Sequence, residues 1–365
     1  MIKPKEHFHG SDLEKIEAIY GIKKEEITSF SANVNPLGIS PKLKETLIHQ
    51  IDAITGYPDR EYSSLRKSIA SYVGGHMDTI LVGNGSTELI SLFIQLINPM
   101  KAMIIAPTYS EYEREITLNG GICSYYYLKE KDNFKLDFTD LAHSLLDDVK
   151  LLVICNPNNP TSTSIKTSQM EEILTLCKEK GIFCMVDETY VEFTDNIDEI
   201  TSVPLTKTFD NLIILRGISK FFAAPGLRLG YAICGNKELL DEVNKKKNPW
   251  TINTLAAIAG EIMFSDEEYI KNTKNLIDSE RKRICNLLST CKNIKVYPPT
   301  ANFVLVKILK EGLSSDQVFD IAIKEGLMIR DCSTFESLDN SFIRFCFMDP
   351  DKNTKLVDLL LELLA

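Results

Sequence analysis

The sequence predicts an α/β protein with two lobes, a larger one on a mostly parallel sheet and a smaller α+β one. Three observations lead there. At 365 residues the chain is too long for one small hydrophobic core. From about residue 79 to 235, short β-branched runs alternate with segments that repeat apolar residues at helical spacing. That alternation is the pattern of βαβ units covered on both faces. After Pro249 it gives way to a long helical stretch and a few isolated strands. The expected division is an arm over residues 1–40 packing on the smaller lobe, a large domain over 41–250 and a small one over 251–365.

The strand-like runs are Thr79–Val82, Ala102–Ala106, Leu151–Cys155, Ile182–Val186, Asn211–Leu215 and Tyr231–Cys234. Helical segments such as Glu88–Ile97 and Gln169–Lys180 separate them. In the last third, helical periodicity from Pro249 to about Leu288 leads into a strand at Asn302–Val306 and a helix near Ser315–Glu325. A strand at Phe342–Phe347 and an amphipathic helix at Thr354–Leu364 close the chain. Repeats and low-complexity tracts are absent.

Composition removes several classes of function. A hydrophobic fraction of 44% with 25% charged residues is that of an ordinary folded protein. Without an apolar run of about 18 residues or an apolar leader, neither a membrane span nor a secretory signal is expected. Nine cysteines, several inside apolar strands and none spaced C-x-x-C, suggest buried thiols in the reducing cytoplasm. No metal spacing is visible among the histidines. A formal charge of −10 disfavours nucleic acid and anionic membrane as partners.

In open parallel sheets, ligands collect at the carboxyl ends of the strands. The first run leads into Gly83-Asn84-Gly85-Ser86-Thr87-Glu88 and a helix. Glycines there admit a ligand close to the backbone, and free amides with two hydroxyls make a phosphate cradle, although most such turns are plain helix caps. The second is followed by Pro107-Thr108-Tyr109, whose ring can lie on a flat ligand or simply pack. The third ends in Asn156-Pro157-Asn158-Asn159-Pro160-Thr161, where two prolines fix the backbone and present amide side chains. After the fourth comes Asp187-Glu188-Thr189-Tyr190. An acid that ends a buried apolar strand needs a cationic partner, because an unpaired buried carboxylate is expensive. The fifth leads to Gly217-Ile218-Ser219-Lys220 and then Pro225-Gly226-Leu227-Arg228-Leu229-Gly230.

In this order, Asn159-Pro160-Thr161, Asp187 with Tyr190, and Ser219-Lys220 with Arg228 resemble the fold-type I pyridoxal-phosphate (PLP) enzymes, the aspartate aminotransferase superfamily. The resemblance runs from about His9 to the C-terminus. It implies a large domain with a mostly parallel seven-stranded sheet, a smaller α+β domain, and PLP as cofactor. Lys220 would hold PLP as a Schiff base. Asp187 would pair with the pyridinium nitrogen and keep the ring an electron sink. Asn159 and Tyr190 would bond the ring oxygen, and Tyr109 would stack on the ring. Gly85, Ser86, Thr87, Ser219 and Arg228 would surround the phosphate. Tyr57 matches a tyrosine that reaches this phosphate from the neighbouring subunit, which implies a homodimer with shared active sites. One departure is Gly217, where these families carry Ser or Thr, so a phosphate contact is missing.

Two further stretches, Phe30 to Gly38 after His9-Gly10 and Asn248 to Asn253, are similar to the threonine-phosphate decarboxylases, relatives of the histidinol-phosphate aminotransferases. The family's His-Gly-Gly here reads His9-Gly10-Ser11. Arg330 and Arg344 match two substrate arginines, whose planar forks suit carboxylate and phosphate. His9, Asn33 and Asn159 complete the implied substrate set, and neither arginine is expected to touch PLP itself. The implied reaction is decarboxylation of O-phospho-L-threonine to (R)-1-aminopropan-2-ol phosphate for the cobalamin nucleotide loop. The alternatives are a histidinol-phosphate-type aminotransferase and decarboxylation of O-phospho-L-serine. The bond that breaks at Cα is the one held perpendicular to the PLP ring, a torsion that sequence leaves open. A catalytically silent PLP-fold protein is disfavoured by intact Lys220, Asp187 and Asn159. A nucleotide-binding Rossmann domain would leave Lys220 and Arg228 without a role.

Overall fold

The computed structural model describes residues 12–365. Its strands are β1 Thr28–Ser29, β2 Ile80–Asn84, β3 Lys101–Ala106, β4 Ile122–Tyr127, β5 Leu151–Cys155, β6 Phe183–Asp187 and β7 Leu212–Gly217. They continue with β8 Leu229–Cys234, β9 Ile294–Val296, β10 Phe303–Ile308, β11 Leu327–Met328, β12 Arg330–Asp331 and β13 Phe342–Cys346. Seven form one sheet in the order β2-β8-β7-β6-β5-β3-β4. Strand β8 runs antiparallel to both neighbours, and the remaining adjacent pairs are parallel.

Alternation along each strand builds two cores. In β5, Leu152 and Ile154 enter one cluster while Leu151, Val153 and Cys155 enter the other. In β7, Leu212 and Ile214 oppose Ile213 and Leu215 in the same way. A side-chain period of two, apolar at every position, requires helices on both faces. The parallel β5–β6 register sets Cys155 beside Asp187, so the two carboxyl ends lie together.

The smaller sheet is antiparallel, ordered β12-β13-β10-β9. Short β1 pairs in parallel with β11, and Cys346 donates its amide to Phe30 O at 2.9 Å. Residues 28–30 therefore lie on the smaller lobe, against β11 and β13.

Two elements differ from the sequence reading. The edge strand β4 carries no buried apolar run; Ile122 and Tyr127 are exposed, and this half-wet pattern hid it. The long helical stretch is two helices, Thr254–Met263 and Glu267–Leu288, because Asp266 caps the second by accepting Tyr269 N at 3.2 Å. No described helix is long and apolar enough to cross a membrane, and all nine cysteines are free thiols. Among the described residues no group of three or more His, Cys, Asp or Glu side chains could hold a metal.

Candidate active site

A cavity of about 940 Å³ opens at the carboxyl ends of β5, β6 and β7. At one end the chain leaves β2 and enters the helix Gly85–Ile97 at once, because Gly85 adopts φ +76°. A Cβ on Gly85 would stand 2.4 Å from Arg228 Nη2, and one on Gly230 would stand 2.3 Å from Ser86 N. Both glycines are thus required for the helix start to lie against β8 and the Arg228 guanidinium. Ser86, Thr87, Ser219 and Arg228 all line the cavity. Among the described residues the Arg228 side chain has no ion-pair partner. A thirteen-residue helix aims its N-terminal amides at the same place, so this end is built for an anion.

Asp187 occupies the opposite role. It ends β6 only 5% exposed. Tyr112 donates its hydroxyl to Oδ2 at 2.6 Å, and Thr189 donates its amide and its hydroxyl to Oδ1 at 2.9 and 2.5 Å. Burial nevertheless pushes the carboxyl above its usual range, against these neutral donors. The cation that the sequence reading required for Asp187 is not supplied by the described chain. Arg216 instead binds the next residue, Glu188, at 2.7 Å. A buried carboxylate facing a cavity and lacking a counter-ion fits a cationic ring nitrogen. Tyr109 lines the space between, its ring edge-on to Tyr112 with centroids 5.6 Å apart.

Lys220 follows β7 and points its amine into the cavity, donating to Ala32 O at 2.7 Å. Burial first, and then the Arg344 charge, push this amine down to about 8. The wall around it comes from the N-terminal segment. Asn35 donates its amide to Lys220 O at 3.0 Å and its side chain to Phe221 O at 2.8 Å. Asn33, at φ +56°, donates to the Tyr190 hydroxyl at 3.3 Å and accepts Asn302 Nδ2 on its carbonyl at 3.0 Å.

Arg330 and Arg344 are register partners across β12 and β13, and both reach the cavity. Arg344 is buried over the Phe303 ring, donating to Asn159 Oδ1 and to Ser31 O, the latter at 2.6 Å. The first of these bonds ties Arg344 directly to Asn159, a residue expected to contact both cofactor and substrate. Arg330 donates to Thr334 Oγ1 at 2.9 Å and lies 5.3 Å from the Phe335 ring centroid. Burial and the Arg344 charge hold it below the usual arginine range. Four buried atoms on cavity-lining residues have no hydrogen-bond partner among the described residues: Ser31 Oγ, Asn33 Oδ1, Thr108 Oγ1 and Arg344 Nε.

The family model for aminotransferase class I and II matches residues 25–360. The chain belongs to that family. Its members are pyridoxal-phosphate enzymes, and this protein is a PLP-dependent enzyme. A Caldanaerobacter subterraneus protein provisionally named threonine-phosphate decarboxylase is 35% identical, over 90% of this chain and 88% of its own. The threonine-phosphate decarboxylase of Salmonella typhimurium is 30% identical over 98% and 96%. A crystal structure described as the histidinol-phosphate aminotransferase of Clostridium acetobutylicum superposes with a TM-score of 0.85 at 38% identity. It covers 92% of this chain and 98% of its own.

Within this aminotransferase fold, the structure brings Gly85, Ser86, Thr87, Tyr109, Asn159, Asp187, Tyr190, Ser219, Lys220 and Arg228 to one cavity, with Asn33, Arg330 and Arg344. Tyr57 is not among them. It is 83% exposed and rests on Trp250, ring centroids 4.9 Å apart. His9 lies outside the described residues. Sequence reading missed Ser31, Tyr112 and Thr189. Only Tyr112 left a signal, a second tyrosine three residues beyond Tyr109.

Proposed function

We propose that the protein decarboxylates O-phospho-L-threonine to (R)-1-aminopropan-2-ol phosphate, a component of the cobalamin nucleotide loop. The observation that carries this reading is the pairing of Arg330 and Arg344 in one cavity with Lys220. Two planar cations suit a small substrate with two anionic ends, one carboxylate and one phosphate. The relatives named for this reaction, at 35% and 30% identity, support it.

Lys220 would hold PLP through Nζ, Asp187 would face its ring nitrogen, and Arg228 with the Gly85–Thr87 turn would take its phosphate. When bound, PLP supplies an electron sink for the pair left at Cα. The protein's own residues do the rest. The arginines would hold both anions of the substrate and so decide which bond at Cα is presented for cleavage; remote binding energy would maintain that orientation. Arg344 also orients Asn159. Lys220, pushed down to about 8, can release and take up a proton near neutral pH, and its Nζ would be the group to return a proton to Cα. Exposed Tyr57 would reach the phosphate site of a second copy, making the working unit a homodimer.

The test is incubation of the PLP-loaded protein with O-phospho-L-threonine, measuring CO₂ and product mass. Free threonine should react far more slowly. A second reading, histidinol-phosphate aminotransferase, is favoured by the 38% identity to the Clostridium acetobutylicum structure. It expects transfer from histidinol phosphate to 2-oxoglutarate with no CO₂, and that result would refute the decarboxylase.

A further inference from the structure

The Arg330 side chain depends on a segment that the substrate reading leaves unused. Thr334, Phe335 and Glu336 all line the cavity. The first two hold Arg330, through the hydrogen bond at 2.9 Å and the ring at 5.3 Å. At its base the segment is fixed to the smaller sheet: Cys332 donates its amide to Phe342 O at 3.0 Å, and Ser333 donates its amide to Asp331 Oδ1 at 2.9 Å. At its tip it crosses to the other sheet, where Glu336 accepts the Tyr127 hydroxyl at 3.0 Å. Tyr127 ends the edge strand β4 and stacks on Tyr125, a cavity residue two positions earlier on the same strand face. Centroids of the two rings are 5.8 Å apart.

Three residues beyond Tyr127 a second link joins the same two sheets. Glu130 accepts from Tyr297 Oη and Lys307 Nζ, each at 2.8 Å, with Lys295 Nζ at 3.4 Å. This three-donor anchor lies away from the cavity and holds the sheets together whether or not Glu336 is engaged. The Tyr127–Glu336 bond has a narrower job: it spans the cavity rim beside Arg330.

We propose that Tyr127 and Glu336 are positioning residues, a clasp that holds Thr334–Glu336 over the cavity and so fixes Arg330 for the phosphate or carboxylate of the substrate. The proposal rests on the reading of Arg330 as a substrate arginine. The clasp acts on substrate capture and leaves the cofactor alone, because neither Asp187 nor Arg228 touches it. Glu336→Gln retains an acceptor for the Tyr127 hydroxyl, whereas Tyr127→Phe and Glu336→Ala remove the bond.

The experiment uses the PLP-loaded enzyme with three readouts: kcat and KM for O-phospho-L-threonine, calorimetric binding of inorganic phosphate, and hydrogen exchange of residues 332–338. Tyr127→Phe and Glu336→Ala should raise KM and weaken phosphate binding by roughly three- to tenfold, the loss of one hydrogen bond at an exposed site. Both should speed exchange in the segment, with kcat and PLP affinity unchanged. Glu336→Gln should stay within about twofold of the parent. Tyr127→Phe added to Arg330→Ala should cost nothing further, because the clasp works through that arginine. Unchanged KM and exchange in Tyr127→Phe, or a fall in kcat together with PLP affinity, would overturn the clasp. If the parent enzyme releases no CO₂ from O-phospho-L-threonine, the decarboxylase reading fails. The phosphate and exchange measurements then still decide the clasp.

Discussion

Lys220 offers the sharpest quantitative prediction. Its amine donates to a backbone carbonyl at 2.7 Å; burial first, and then the Arg344 charge, push it from 10.5 down to about 8. An amine at 10.5 is neutral in about 0.03% of molecules at pH 7, and one at 8 in about 10%, a gain of roughly 300-fold in the nucleophilic form. The rate at which apoprotein captures PLP should follow that fraction. It should rise about fivefold from pH 7 to pH 8 and level off above about pH 9, with a midpoint near 8. Stopped-flow absorbance across pH 6 to 10, with a free lysine amide as reference for the cofactor's own ionisations, measures the profile. Arg344→Gln removes a like charge, so the midpoint should move up while staying well below that of the free amine, since burial is the larger cause. A capture rate that keeps climbing tenfold per pH unit beyond pH 9 would refute the reasoning. It would mean that Lys220 is hydrated in solution.

Three further outcomes are expected from neighbouring geometry. Glu192 lies 3.8 Å from Arg216, which it shares with Glu188; its other oxygen is buried with no hydrogen-bond partner among the described residues, and burial raises its carboxyl from 4.5 to about 7. The folded chain then holds more protons than the unfolded one between pH 4.5 and 7, so stability falls as pH rises through that window, by at most about 3 kcal/mol. Urea titrations of Glu192→Gln should show this fall flattened, and an unaltered slope would count against the assignment. A Cβ on Gly217 would meet Leu229 O at 3.5 Å and Gly230 Cα at 3.9 Å, both ordinary contacts, so Gly217→Ser should fold and tighten PLP by about 1–2 kcal/mol, one charge-assisted bond. Equal or weaker PLP binding would show that no donor is missing there. Arg330→Ala should lower kcat/KM by about two to four powers of ten and leave the PLP absorbance intact. Arg344→Ala should lower kcat/KM at least as much and also shift the PLP band, since Asn159 loses its partner; an unshifted band would separate Arg344 from the cofactor.

Much of the fold, and which residues meet in the cavity, was legible in sequence, and topology explains why. Parallel strands send their carboxyl ends to one edge, so the turns after β2, β3, β5, β6 and β7 converge whatever their details. The residues at or just past each strand end therefore include Ser86, Tyr109, Asn159, Asp187 and Lys220, and all of these meet in one cavity. The strand that escaped, β4, sits at the sheet edge, where one wet side breaks up the apolar run.

Tertiary structure decided the partnerships. The sequence demanded a cation for Asp187, yet Arg216 lies against Glu188. Consecutive residues of an extended chain point to opposite faces, and the β6–β7 register aligns Asp187 with Leu215, so Arg216 reaches only the face that Glu188 shares. Asp187 is left with neutral donors from Tyr112, far away in the chain, and from Thr189. Arg344 meets Asn159 across 185 positions, and Tyr127 meets Glu336 across 209. Such contacts have no local pattern to announce them, because they exist only once two sheets of different sequence origin pack around one cavity.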